Sequence, residues 1–289
     1  MPEEAGAFRE RTFSAQDGLR LYYRDYGDPL ATGTPLVCLC GLTRNSKDFH
    51  DLARRLARDR RVICPDYRGR GRSAYDPQWR NYTPQVVLND VIQLLAASNL
   101  HHVVICGTSF GGLLAMSLAV AAPMALAGVI LNDVGPELNR DGTQRILDYV
   151  SRDRPQPNWA AAIAEIKRFF PALSLASEDD WRRFTEATFR EGEDGRLHFD
   201  WDVALARPLV ENRIPKPDLW PLYRALRHRP VLAIRGGLSD VLSAETFARM
   251  AAEKPDLIQV TLPDVGHVPT LNEPEAERAI DDFLARIDG

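Results

Sequence analysis

Seven short runs of strand-forming residues, several apolar at every position, set the tightest limit on how this chain can fold. They fall at 20–26, 36–40, 61–65, 103–106, 129–131, 231–235 and 258–262. A strand with no polar face must be covered on both sides, which happens when helices pack on both faces of a mostly parallel sheet. Amphipathic stretches at 49–58 and 86–98 lie between the runs, and no fixed-period repeat interrupts the alternation. The pattern predicts an α/β fold.

Composition narrows the partners. With 36 Lys+Arg against 40 Asp+Glu the formal charge is −4, so the reading expects neither nucleic acid nor a membrane as partner. Apolar residues at 45% and charged residues at 26% are those of a globular protein with a large core. Cys38, Cys40, Cys64 and Cys106 all fall in apolar runs, match no zinc spacing and predict reduced core thiols in a cytoplasmic protein. The start of the chain, with Glu3, Glu4, Arg9, Glu10 and Arg11, has no apolar segment of the kind a signal peptide carries. Residues 111–131 hold no charge and are long enough to span a bilayer, but Pro123 divides them into a buried helix and a central strand.

The strand–helix rhythm stops after Asn132-Asp133 and resumes at Val231, about ninety residues later, too far for a loop. Helical runs at 143–150, 159–170 and 179–190, a turn at Gly192-Glu193-Asp194-Gly195, and Pro215, Pro217 and Pro221 occupy the gap. The expected organisation is a core of residues 1–137 and 231–289 with a helical lid at 138–230. Trp159, Trp181, Trp201 and Trp220 lie in that insertion. Trp159, Trp181 and Trp201 are candidates to line a substrate pocket, the alternative being that they fill the lid's own small core.

The chemistry is written most clearly at 103–112, where an apolar strand runs through Gly107-Thr108-Ser109-Phe110-Gly111 into a helix. A serine on so tight a turn needs small neighbours two residues to either side, and Gly107 and Gly111 supply them. The turn lifts the Ser109 hydroxyl above the sheet, with the free N–H groups of a helix start beside it. A serine nucleophile needs a base. Of the six histidines only His267 follows the last strand, where strand ends gather beside the nucleophile. The base in turn needs a carboxylate, and Asp240, reached through Gly236-Gly237 after the run at 231–235, is the preferred candidate, with Asp133 as its rival. The N–H of Phe110 and that of Leu42, in the Cys40-Gly41-Leu42 loop, are the expected oxyanion donors.

Along nearly its whole length the chain resembles the α/β-hydrolase superfamily. Beside the Gly107–Gly111 and Gly266-His267 segments, Asp66-Tyr67-Arg68-Gly69-Arg70-Gly71-Arg72-Ser73 is similar to that family's D-x-R-G-x-G-x-S turn. The resemblance implies a central sheet of about eight strands and an inserted lid. It also implies that the turn is structural; its arginines are expected to be solvated rather than to bind an anion. Many relatives have His-Gly where this chain has Cys40-Gly41, so a hydrogen bond that braces the oxyanion loop is expected to be missing while the donor N–H is kept.

Val268-Pro269 after the histidine, and Leu42-Thr43-Arg44-Asn45 after Gly41, depart from relatives that cleave carbon–carbon bonds. The expected activity is hydrolysis of a small or medium carboxylic ester or lactone through an acyl-enzyme, as in the esterase and enol-lactonase branch of the superfamily. A carbon–carbon bond hydrolase, or a slow receptor-like member of the fold, is the alternative. Serine at the elbow disfavours relatives with an aspartate nucleophile, and no cofactor or metal is implied. The oligomeric state is not legible.

Overall fold

The computed structural model describes residues 7–211 and 218–289; Glu3, Glu4, Pro215 and Pro217 lie outside the described residues. Strands β1 (Arg9–Ser14), β2 (Arg20–Tyr26), β3 (Gly33–Leu39), β4 (Arg60–Pro65), β5 (Val103–Thr108) and β6 (Leu126–Asn132) precede the insertion. A short hairpin within it, β7 (Phe189–Glu191) and β8 (Leu197–Phe199), turns at Gly195, and β9 (Val231–Gly236) and β10 (Ile258–Leu262) follow. The main sheet has eight strands in the order β1-β2-β4-β3-β5-β6-β9-β10, antiparallel at β1/β2 and β2/β4 and parallel elsewhere. Three strands were missed from sequence: β7 and β8, where a helix was expected to run to residue 190, and β1, an exposed edge whose Arg9, Glu10 and Arg11 hide its strand character. Charge on an edge strand discourages pairing with other chains.

Helices α1 (His50–Leu56), α2 (Pro84–Ala97) and α3 (Phe110–Ala121) cover the sheet together with α9 (Ala244–Glu253) and α10 (Pro274–Asp288). Between β6 and β9 run α4 (Arg140–Val150), α5 (Trp159–Phe169), α6 (Glu178–Glu186), α7 (Arg207–Glu211) and α8 (Trp220–Arg224). The charge-free stretch 111–131 divides at Pro123 into α3 and the wholly buried β6. Among the described residues no helix is long and apolar enough to cross a membrane. All four cysteines are free and buried, and burial pushes the thiols of Cys38 and Cys40 above their usual range.

The insertion has a hydrophobic cluster of its own, built from Tyr149, Val150, Ala162, Ile166, Phe189, Leu197, Phe199, Trp201, Leu205 and Ala206, with Tyr82 joining it from the core side. Trp220 and Tyr223 of α8 belong instead to the main core, so Trp220 is not part of this cluster. Many contacts fasten the insertion to the core, side-chain bonds from Arg44, Asn45 and Lys47 to residues 186–188 among them. Backbone bonds run from Gly71 N to Asp200 O (3.0 Å) and from Asp202 N to Gly69 O (2.8 Å); Gly266 N donates to Ala172 O (2.7 Å); and Arg145 grips Asp240.

The arginine-rich turn after β4 is not solvated as expected. Arg68 is 1% exposed and meets Asp90 through Nε and Nη2 (both 2.7 Å), Asp76 (2.5 Å) and Asp17 (2.8 Å). Arg70 is equally enclosed, and only Arg72 reaches the surface, where it pairs with Glu10. The turn is drawn inward because Asp66 accepts the N–H groups of Ser46 (2.7 Å) and Arg72 (2.8 Å). Arg68→Met should therefore leave the buried Asp76 and Asp90 without their counter-charge and cost about 3–5 kcal/mol, read by denaturant titration. A loss below 1 kcal/mol would refute this account of the turn.

Candidate active site

The elbow has the strained geometry its sequence requires. Ser109 sits at φ 51°, ψ −113° between the end of β5 and the start of α3, its N–H bonded to Asn132 O (3.0 Å). A Cβ added to Gly111 would come within 2.0 Å of Leu39 O, and one on Gly107 within 2.4 Å of Gly111 O. Only glycine lets the helix start lie this close to the end of β3. The same closeness brings the start of the Cys40-Gly41-Leu42 loop beside the elbow of Ser109. Among the described residues neither the Leu42 nor the Phe110 N–H is bonded to an acceptor, as oxyanion donors must be before a substrate arrives.

His267 lies on the loop after β10 with its Nε2 3.1 Å from Ser109 Oγ. Its Nδ1 is 2.7 Å from Oδ2 of Asp133, not from Asp240. Asp133 is completely buried at the end of β6, where Oδ1 accepts the Gly236 N–H (2.9 Å) and Oδ2 the Ser239 hydroxyl (2.6 Å). The expectation for Asp240 is corrected by the same glycines that suggested it. A Cβ on Gly236 would lie 2.6 Å from Gly266 O and one on Gly237 2.3 Å from Pro263 O, so the pair lets the histidine loop pack against the end of β9. It does not aim Asp240 at the histidine.

The Asp240 carboxylate instead turns to the insertion and takes a two-pronged contact from Arg145 of α4, Nε–Oδ2 2.7 Å and Nη2–Oδ1 2.9 Å. Burial opposes its charge, but the bonds and charge of Arg145, with His267 nearby, hold its carboxyl below the usual range. That contribution is present above the ordinary aspartate range and is lost as pH falls through the depressed value. What could have singled out Asp133 was its place directly after the seven-residue buried strand β6, beside β5, which ends at the nucleophile.

Trp201 is 3% exposed and stacks on Phe199 at 4.0 Å, inside the lid cluster. Trp159 and Trp181 are half-buried against that cluster. Trp201→Ala should cost about 3–5 kcal/mol and Trp181→Ala less than half as much, measured by chemical denaturation. Equal losses would contradict the difference in burial. A cavity of about 130 Å³ touches Thr108, Asn132 and Val268, neighbours of the candidate residues, and has charged groups such as Lys47, Asp48, Asp180 and Arg183 in its wall; Ser109, His267, Leu42 and Phe110 do not line it.

Residues 36–280 match the model of the alpha/beta hydrolase family, and the chain belongs to that family. It is 35% identical over 263 residues to the 3-hydroxybutyrate-oligomer hydrolase of Cupriavidus necator, covering 88% of this chain and 89% of that one. It is 31% identical over 274 residues to the sn-1-specific diacylglycerol lipase ABHD11 of Danio rerio, covering 92% and 81% respectively. Among solved structures, an alpha/beta hydrolase from Novosphingobium aromaticivorans superposes with a TM-score of 0.90 at 43% identity, over 97% of this chain and 99% of that one. The relatives are hydrolases, which places this chain in the hydrolase class.

Proposed function

We propose that the protein is a serine hydrolase of small or medium carboxylic esters, working through an acyl-enzyme. The observation that carries this reading is the single line of contacts from Ser109 Oγ through His267 to buried Asp133. Ser109 Oγ attacks the ester carbonyl carbon and its proton passes to His267 Nε2. Asp133 fixes the imidazole with Nδ1 protonated and offsets the charge it gains. The carbonyl oxygen becomes an oxyanion held by the N–H groups of Leu42 and Phe110. The alcohol then leaves with the proton from His267, and water repeats the sequence to release the acid and restore Ser109.

The similarity to a 3-hydroxybutyrate-oligomer hydrolase favours esters between hydroxy acids over simple alkyl esters. Four buried free thiols fit a reducing compartment such as the cytoplasm.

The test is a panel of esters and lactones varied separately in acyl and alcohol halves, including dimers and trimers of 3-hydroxybutyrate and a vinylogous diketone acid. Multiple turnover on the esters, fastest with the hydroxy-acid oligomers, is expected. Turnover confined to the diketone acid would favour carbon–carbon cleavage, and a single turnover without recycling would favour a receptor-like role.

A further inference from the structure

The loop that carries Leu42 lacks the histidine many relatives place before its glycine, yet it is held at three points. Tyr67 donates its hydroxyl to Cys40 O (3.1 Å), the Cys40 thiol donates to Arg44 O (3.0 Å), and Arg70 Nε donates to Leu42 O (2.8 Å). Two of the three come from the turn after β4. Arg70 is the unusual member. It is 2% exposed, and its Nη1 donates to Arg68 O (2.6 Å).

No carboxylate among the described residues makes an ion pair with Arg70. The Tyr67 and Tyr82 rings lie 5.7 and 5.8 Å from its Cζ, and Asp202, across Tyr82, is occupied by the Tyr82 hydroxyl and the Ala204 N–H. Desolvation is the largest influence on the guanidinium and draws its pKa below the usual arginine value, as expected where too little negative charge surrounds a buried cation. Its charge is met by two backbone carbonyls and two ring faces rather than by a paired carboxylate. Through the Leu42 carbonyl that it holds, the guanidinium is joined to the residue expected to donate to the oxyanion.

We propose that Arg70 is a positioning residue of the oxyanion hole, fixing Leu42 through its carbonyl and keeping a permanent positive charge behind the loop for the tetrahedral intermediate. The proposal rests on the serine-hydrolase reading. Arg70 occupies a variable position of the D-x-R-G-x-G-x-S turn, so the role belongs to this chain's own residue and not to the motif.

The test uses the full-length R70M and R70K variants, the rate at which a fluorophosphonate labels Ser109, and steady-state hydrolysis of p-nitrophenyl butyrate. Removing an oxyanion donor outright costs about 10²–10³-fold in kcat, and Arg70 stands one residue behind the donor, so R70M should lose about 10–100-fold in labelling rate and in kcat. Its KM should stay within about threefold. R70K, which keeps the charge, should regain more than half of the loss on a logarithmic scale.

A labelling rate and kcat for R70M within threefold of wild type would overturn the proposal, as would a loss confined to KM or a failure of both variants to fold. Because the phosphonate probe does not depend on the natural substrate, a wild-type enzyme that labels but ignores every ester refutes only the substrate assignment. Absence of labelling in wild type refutes the serine-hydrolase reading, and the role of Arg70 with it.

Discussion

Ser109→Ala is expected to lower kcat by about 10⁶ while leaving the fold intact, because the members of a catalytic triad act as one unit and the nucleophile cannot be replaced from within it. The substitution removes one oxygen from a position whose backbone is held by neighbours: the Ser109 N–H bonds Asn132 O, and Gly107 and Gly111 close the turn on either side. No core contact is lost. Far-ultraviolet circular dichroism and the melting midpoint should therefore match the wild type, and fluorophosphonate labelling should vanish. The same argument predicts that adding His267→Ala to Ser109→Ala costs almost nothing further, since the base has no nucleophile left to serve. Undiminished labelling of the alanine variant would place the nucleophile at another serine.

Asp133→Asn should lower kcat by about 10⁴, and Asp240→Asn by less than tenfold. An asparagine at 133 can present its NH₂ to His267 Nδ1, which favours the tautomer with the proton on Nε2, where it cannot accept one from Ser109. Asp133 is also bonded to Gly236 N and the Ser239 hydroxyl, so part of any stability loss reports on those bonds. Activity per folded molecule is the measurement that separates the two effects. Asp240→Asn weakens the grip of Arg145 and frees one end of α4, so its effect should appear in KM and in protease sensitivity of the insertion. A larger kcat loss for Asp240→Asn than for Asp133→Asn would show that the contact at 2.7 Å does not orient the histidine.

Much of the scaffold was legible because the signals are local. Strands β3 to β6 and β9 announce themselves by apolar runs that need cover, β2 and β10 by strand-forming residues mixed with polar ones, and the elbow by glycines that the backbone cannot replace. The hairpin turn at Gly192–Gly195 and the break at Pro123 are likewise properties of a few adjacent residues. Edge strand β1 was missed because its residues face water and carry charge, so no apolar pattern marks it. Trp220 was grouped with the insertion by chain position, whereas its burial depends on α8 returning to pack on the main core.

By itself the sequence determined the layered α/β frame and singled out Ser109 and His267 as candidates, since each follows from residue type and short-range order: glycines flanking a serine between strand and helix, and a lone histidine after the last strand. The choice of acid could not be made this way. Asp133 follows β6 directly and Asp240 lies a turn beyond the end of β9, but both fall between serine and histidine in the chain, so chain order does not separate them. Only the packing of the Gly266-His267 loop against Gly236 and Gly237 decides it, placing His267 Nδ1 over the buried end of β6 and leaving Asp240 to Arg145. The fate of the three arginines after β4 was decided in the same way. Identical side chains two residues apart become a buried ion-pair hub, a carboxylate-free cation behind the oxyanion loop and a surface contact, because the turn is pulled inward by Asp66 and covered by the insertion.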